Sequence, residues 1–178
     1  MCSSDLNNAD DVNTRACLFD DVFSLGADGS FANIMDGSTW LEGWQTGAGE
    51  ECGAPVAPHD GSAAATYSYD ADAATLTVVG SGAHMGLAKV VNGGEISNGA
   101  AVADSITYTV TTATADSLVL DINVGAGWWR FSFVPAGSTG GDTGGDTGGD
   151  AGLAADISGD WVLAPQAGAL AVGDAQGA

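Results

Sequence analysis

The sequence predicts an all-β protein, an antiparallel meander closed as a barrel or sandwich. Apolar and polar residues alternate with a period of two in nine short runs, the signature of half-buried strands. Gly, Asp and Asn bound those runs. No window of a dozen residues holds the i, i+3, i+4, i+7 spacing of an amphipathic helix, so long helices are not expected.

The runs occupy residues 17–25, 30–35, 39–44, 64–69, 75–79, 84–90, 105–111, 117–124 and 128–134. The first and second are joined through Ala27-Asp28-Gly29-Ser30, and the fourth and fifth through Asp70-Ala71-Asp72-Ala73. Both read as hairpin connections, because Asp and Gly tolerate turn geometry that other residues resist. In the third run Trp40 and Trp44 stand four apart and would share one face of a strand. In the last run Trp128 and Trp129 are adjacent and must face opposite sides, one into the core and one outward or into a barrel mouth. Many short strands in sequence point to a meander closed on itself.

With 178 residues the chain has room for one ordinary domain and a tail, and 45% hydrophobic residues are enough to bury a core. Three Lys+Arg stand against 23 Asp+Glu, for a net charge of −20. Only Arg15, Lys89 and Arg130 could neutralise phosphate, so nucleic acid is disfavoured as a partner, and an anionic membrane surface fails for the same reason. Solvation with self-repulsion, or cation binding, are the readings that remain for so acidic a surface. No stretch approaches the length of a spanning helix, and no signal peptide opens the chain, so membrane insertion is not expected. Scarce Lys together with abundant Gly, Thr, Asp and Ala gives an extracellular or cell-surface look.

Four zones are expected: a leader over 1–9, a β module over 10–135, a linker over 136–156, and a strand-bearing segment over 157–178. Met1-Cys2-Ser3-Ser4-Asp5-Leu6 resembles translated sequencing-adapter sequence, which implies that the chain is a piece of a longer environmental (metagenomic) reading frame and that Cys2 is left out of cysteine arithmetic. Cys17 and Cys52 then form an even pair, most simply a disulfide stabilising by roughly 3 to 4 kcal/mol. No CxxC or His pair at ligand spacing accompanies them to suggest zinc. The repeated Thr-Gly-Gly-Asp unit of residues 137–150 has almost nothing to bury and reads as a flexible, self-repelling spacer. Calcium-binding solenoid repeats need an apolar residue in each unit, and none occurs here. Beyond the spacer, residues 157–165 are strand-like but have no partner downstream, and a lone strand is unstable in water. They must pair back onto the body, pair with another chain, or hang loose.

The stretches 14–21, 28–31, 39–45, 52–61 and 127–131 resemble a tandem β-module of secreted marine bacterial proteins, often found beside laminarinase-type glycoside hydrolases. In that module a strand similar to residues 158–170 precedes the Thr14-Arg15-Ala16-Cys17 segment. The reversed order here implies that residues 157–178 begin a second copy, so neighbouring modules are implied partners. The family brings little established function. Gly159-Asp160-Trp161 with an Arg on the closing strand also resembles lipocalin-like barrels, which implies Arg130 stacked on Trp161. If the tail folds back, 157–165 would complete the 10–135 module as a circular permutation would, and a linker of this length spans the distance.

His59-Asp60 and Glu50-Glu51 are the carboxylate and imidazole groupings that could be asked to catalyse, and both sit in Gly/Pro-rich loops. No nucleophile, metalloprotease, phosphate-loop or dinucleotide fingerprint occurs, so neither an enzyme nor a cofactor is expected. Trp40, Trp44 and Trp129 beside His59 and Asp60 form the candidate ligand-binding set, since exposed aromatics stack on sugar rings while polar groups hold hydroxyls. The opposing reading is that Trp fills a small barrel. Two functions follow: a non-catalytic, carbohydrate-binding accessory module with polysaccharide as partner, or a structural spacer or stalk repeat. A calcium-stabilised variant would use Asp20, Asp21 and Asp28.

Overall fold

The computed structural model describes residues 9–98, 102–138, 152–166 and 168–174. In chain order its elements are α1 (Ala9–Thr14), α2 (Ala16–Phe19), β1 (Val22–Leu25), β2 (Ser30–Ile34), β3 (Thr39–Leu41), α3 (Gly43–Thr46), β4 (Glu51–Gly53), β5 (Ala65–Asp70), β6 (Thr75–Val79), β7 (Val90–Val91), β8 (Gly94–Glu95), β9 (Ser105–Ala113), β10 (Leu118–Asn123), β11 (Gly127–Pro135), β12 (Gly159–Leu163) and β13 (Leu170–Asp174).

Eight strands close an antiparallel barrel in the order β1, β2, β5, β6, β9, β10, β11, β12 and back to β1. The chain is thus all-β, and the meander closes as a barrel. β1 and β11 do not pair with each other; β12 lies between them, Trp161 opposite Phe23 on one side and opposite Pro135 on the other. Of the three fates open to residues 157–165, the structure has them paired onto the body. β13 continues along the edge of β11 that β12 uses, with Leu170 opposite Phe131 and Asp174 opposite Gly127. Between the two, Ser132 spans a bulged excursion: its N–H donates to the Ala169 carbonyl and its own carbonyl accepts from Ala164.

Strand alternation puts large apolar side chains inside. Phe23, Leu25, Leu76, Tyr108, Leu118, Leu120, Phe131, Phe133 and Leu163 are essentially inaccessible. They fill the lumen as residues of a small barrel do. Aromatic edges interlock there, with the Phe23 and Phe133 rings 5.3 Å apart at 75°.

Three expected strands take other forms. In 17–25 only Val22–Leu25 is extended; Ala16–Phe19 form the single helical turn α2, which buries Cys17 and Leu18. The 39–44 run ends at Leu41, because Glu42 caps α3 through a reciprocal pairing with Gln45. Residues 84–90 form a loop in place of a strand until Val90: Gly86 sits at φ +86°, and its backbone lies so close to the Phe131 ring that a Cβ would come within 2.5 Å. Met85 and Leu87 nevertheless enter the core, and the buried Tyr108 hydroxyl accepts from the Met85 N–H (2.9 Å) and donates to its carbonyl (3.3 Å). Most of the leader, the greater part of the Thr-Gly-Gly-Asp spacer and the last four residues lie outside the described residues. The described end of the linker, 152–156, packs Leu153 and Ala154 against the core, with the Ala154 carbonyl accepting from the Tyr69 hydroxyl at 2.7 Å.

Candidate functional site: the loop end of the barrel

Strand direction divides the barrel into two unlike ends. Short turns at 26–29, 71–74 and 114–117, with the returning 152–158 segment, close one end. The other carries the long excursions: β3, α3 and β4 between β2 and β5, and β7 and β8 between β6 and β9. The Cys17–Cys52 disulfide ties α2 to the β3–β4 hairpin, confirming the expected pairing.

Two of the chain's three Lys+Arg residues converge at this loop end. The Lys89 ammonium lies 3.6 Å from Glu42, 3.8 Å from Glu50 and 4.0 Å from Glu95, and 5.4 Å over the Trp129 ring. Arg15 reaches Glu50 at 3.7 Å and stacks over Trp40 at 4.8 Å. The Trp129 indole N–H donates to Glu95 at 2.6 Å. Glu42 is 3% exposed. Burial pushes its carboxyl up to about 7, the nearby Lys89 ammonium pulls the other way, and the neighbouring Glu50 carboxyl raises it again. Asp21 is also buried, one oxygen accepting from the Thr39 hydroxyl and the other without a partner, and burial pushes it up to about 7.

Beside this cluster the His59 and His84 rings lie 5.8 Å apart, tilted at 59°, and Trp44 meets His59 edge-on at 5.4 Å. The His84 Nδ1 pairs with the Gly82 carbonyl at 2.8 Å, and Asn33 donates to the His84 carbonyl at 2.7 Å. Burial pushes His84 down to about 4 and lowers His59 as well. Both imidazoles are therefore neutral at neutral pH.

The structure brings Trp40, Trp44, Trp129, His59 and Asp60 to the same barrel end but not onto one binding face. Trp40 on β3 is buried, and Trp44 rides on α3, half-buried, so the two do not share a strand face. Trp129 is the inward member of its adjacent pair and is 3% exposed, with Trp128 on the outside. Asp60 sits at the surface, where it holds its own turn through the Ser62 N–H and hydroxyl; those bonds keep its carboxyl below the usual range. The stack of Arg130 on Trp161 does not form. Arg130 lies over Trp128 at 5.4 Å and makes a two-pronged pair with Asp121, both arms at 2.7 Å, on the outer face. Trp161 is buried and its indole donates to the Ile157 carbonyl at 3.0 Å. Asp28 caps the β1–β2 turn through Ser30 at the opposite end from Asp20 and Asp21. Among the described residues no group of three or more His, Cys, Asp or Glu is placed to hold a metal ion.

Arg15, Glu42, Lys89 and Glu95 were not legible as site residues. One signal could have found them: where cations are this scarce, each is worth tracing to a partner. No family model, curated protein or solved structure matches the chain.

Proposed function

We propose that the chain is a non-catalytic extracellular accessory module that engages polysaccharide at the loop end of its barrel rather than within the lumen. The gathering of Trp44, His59, three glutamates and two of three cations at one end carries this reading. Trp44 is the ring of the expected set that is only partly buried, and a partly accessible indole backed by polar groups suits the apolar face of a sugar. The disulfide is compatible with an oxidising compartment, and no described helix is long and apolar enough to cross a membrane. The test is titration of laminarin and a panel of soluble glycans into the full chain and into Trp44→Ala. Binding lost in the variant supports the reading.

The filled lumen favours a second reading, a structural spacer, because Trp40, Trp129 and Trp161 all serve the core. Absence of binding across the panel would leave that reading standing.

A further inference from the structure

We infer that the loop-end charge cluster is a hydroxyl-binding subsite, in which two adjacent hydroxyls of a glycan's terminal hexose bridge Lys89 to Glu42 and Glu50. It rests on the glycan-binding reading above and specifies the groups that hold the sugar. Ion-pair geometry is the observation that carries it. On the outer face Arg130 meets Asp121 with both arms at 2.7 Å, as a direct charge-assisted pair does. At the loop end no pair closes that far. Lys89 stands 3.6, 3.8 and 4.0 Å from Glu42, Glu50 and Glu95, and Arg15 stands 3.7 Å from Glu50, all beyond hydrogen-bond distance. The same cluster leaves buried polar atoms unsatisfied. Among the described residues, every buried side-chain nitrogen or oxygen without a hydrogen-bond partner lies at this end of the barrel, and three belong to the cluster: Arg15 Nη1, Trp40 Nε1 and Glu42 Oε1. Trp40 and Glu42 are more than nine-tenths buried, so leaving those atoms unpaired is costly. Glu42 is still extended, with ψ 150°, so Trp40 and Glu42 project to one side, where Arg15 stacks on Trp40.

Two unpaired N–H donors and a carboxyl oxygen, set about an ammonium, call for a group that both donates and accepts. A hydroxyl does both. A hydroxyl oxygen about 2.8 Å from an ammonium and from a carboxylate sits astride pairs spaced like these. Two such pairs share Lys89, which suits neighbouring hydroxyls on one ring. A carboxylate or sulfate ligand only accepts, and would meet three glutamates in a chain of net charge −20. The cluster is reachable, because the Glu50 and Glu95 side chains are 42% and 40% exposed. Glu42 also caps the helix that carries Trp44, which sets the hydroxyl-binding groups two residues from the ring proposed to stack on sugar.

The test follows the Trp40 indole N–H by NMR in the full chain during titration with the methyl glycosides of glucose, galactose and mannose, their monodeoxy analogues, and laminarin. The expected result is a saturable shift of that resonance by at least one glycoside, with a Kd on the order of 10 mM. Removing either hydroxyl of one adjacent pair should weaken that binding at least about tenfold. Lys89→Met and Glu42→Gln, each with the far-UV circular dichroism of the unaltered chain, should weaken laminarin binding at least about fivefold. No saturable shift up to about 100 mM of any glycoside overturns the subsite, ordered water then being all that the cluster holds. Laminarin binding that Trp44→Ala abolishes, and that Lys89→Met and Glu42→Gln leave unchanged, also overturns it while the loop-end reading stands. Absence of binding to every glycan removes both.

Discussion

Phe23 and Trp161 stand opposite one another across β1 and β12, both almost wholly buried, and so join the first strand of the barrel to the last in sequence. Phe23 meets Phe133 edge-on, and the Trp161 indole is fixed by the Ile157 carbonyl. A residue from beyond the spacer is thus part of the same apolar layer as residues over a hundred positions earlier.

Trp161→Ala removes the largest side chain of that strand from a site 4% exposed. The expected cost is about 3–5 kcal/mol, the range for large-to-small core substitutions. Urea unfolding followed by far-UV circular dichroism measures it.

Stability should depend on pH through three buried groups. Asp21 and Glu42 have folded values raised to about 7, so their contribution is fully present below their unfolded values near 4 and is lost as pH rises through 7. His84 has a folded value depressed to about 4, so it opposes them, destabilising the fold as pH falls from 6.5 towards 4. His59 acts in the same direction as His84. Between pH 4.5 and 6.5 the carboxyl and imidazole contributions therefore partly cancel. Asp21→Asn keeps a group that can pair with Thr39 but removes the titration, and should shift the slope of stability against pH by about 1.4 kcal/mol per unit in that window. His84→Asn should shift the slope by a similar amount in the opposite sense. Urea midpoints at pH 5 and pH 6.5 for the three proteins give both slopes.

Two glycines with left-handed backbones should respond differently to alanine. Gly82 has φ +75°, and a Cβ there would lie 2.0 Å from the Pro58 carbonyl oxygen, a backbone atom that cannot turn aside. Gly37 has φ +86° with nothing within 4 Å. Gly37→Ala is expected to cost about 1 kcal/mol from backbone strain alone, while Gly82→Ala should cost at least about twice that because the two loops must separate. Thermal unfolding of the pair makes the comparison.

Reducing Cys17–Cys52 opens a loop with a sequence separation of 35. The chain-entropy relation gives a loss of about 4 kcal/mol. Comparing unfolding of the oxidised chain with the Cys17→Ser/Cys52→Ser variant checks it, and the variant should lower the melting temperature.

Much of the barrel was legible in the sequence because period-two alternation is a local signal. Residues 75–79 and the runs within β9, β10 and β11 alternate with no competing demand, and they are strands. The 84–90 run alternates too, but its side chains plug the barrel mouth while Gly86 bends the backbone off any ladder; alternation reports burial, not pairing. β4, β7 and β8 are two or three residues long, too short for a period to show. The disulfide followed from cysteine arithmetic. The loop-end charge cluster did not, since Arg15, Glu42, Lys89 and Glu95 are brought together only by closure of the barrel. Trp44 shows the same limit: its spacing from Trp40 fits a shared strand face until the Glu42 cap starts a helix.

Closure of the barrel by β12 is the claim on which the rest depends, and amide hydrogen exchange tests it most directly. The Trp161, Val162 and Leu163 amides should exchange only with global unfolding, at the same free energy as amides of β9 and β10. Exchange of those three at the rate of an unstructured peptide, while β9 and β10 stay protected, would contradict the account.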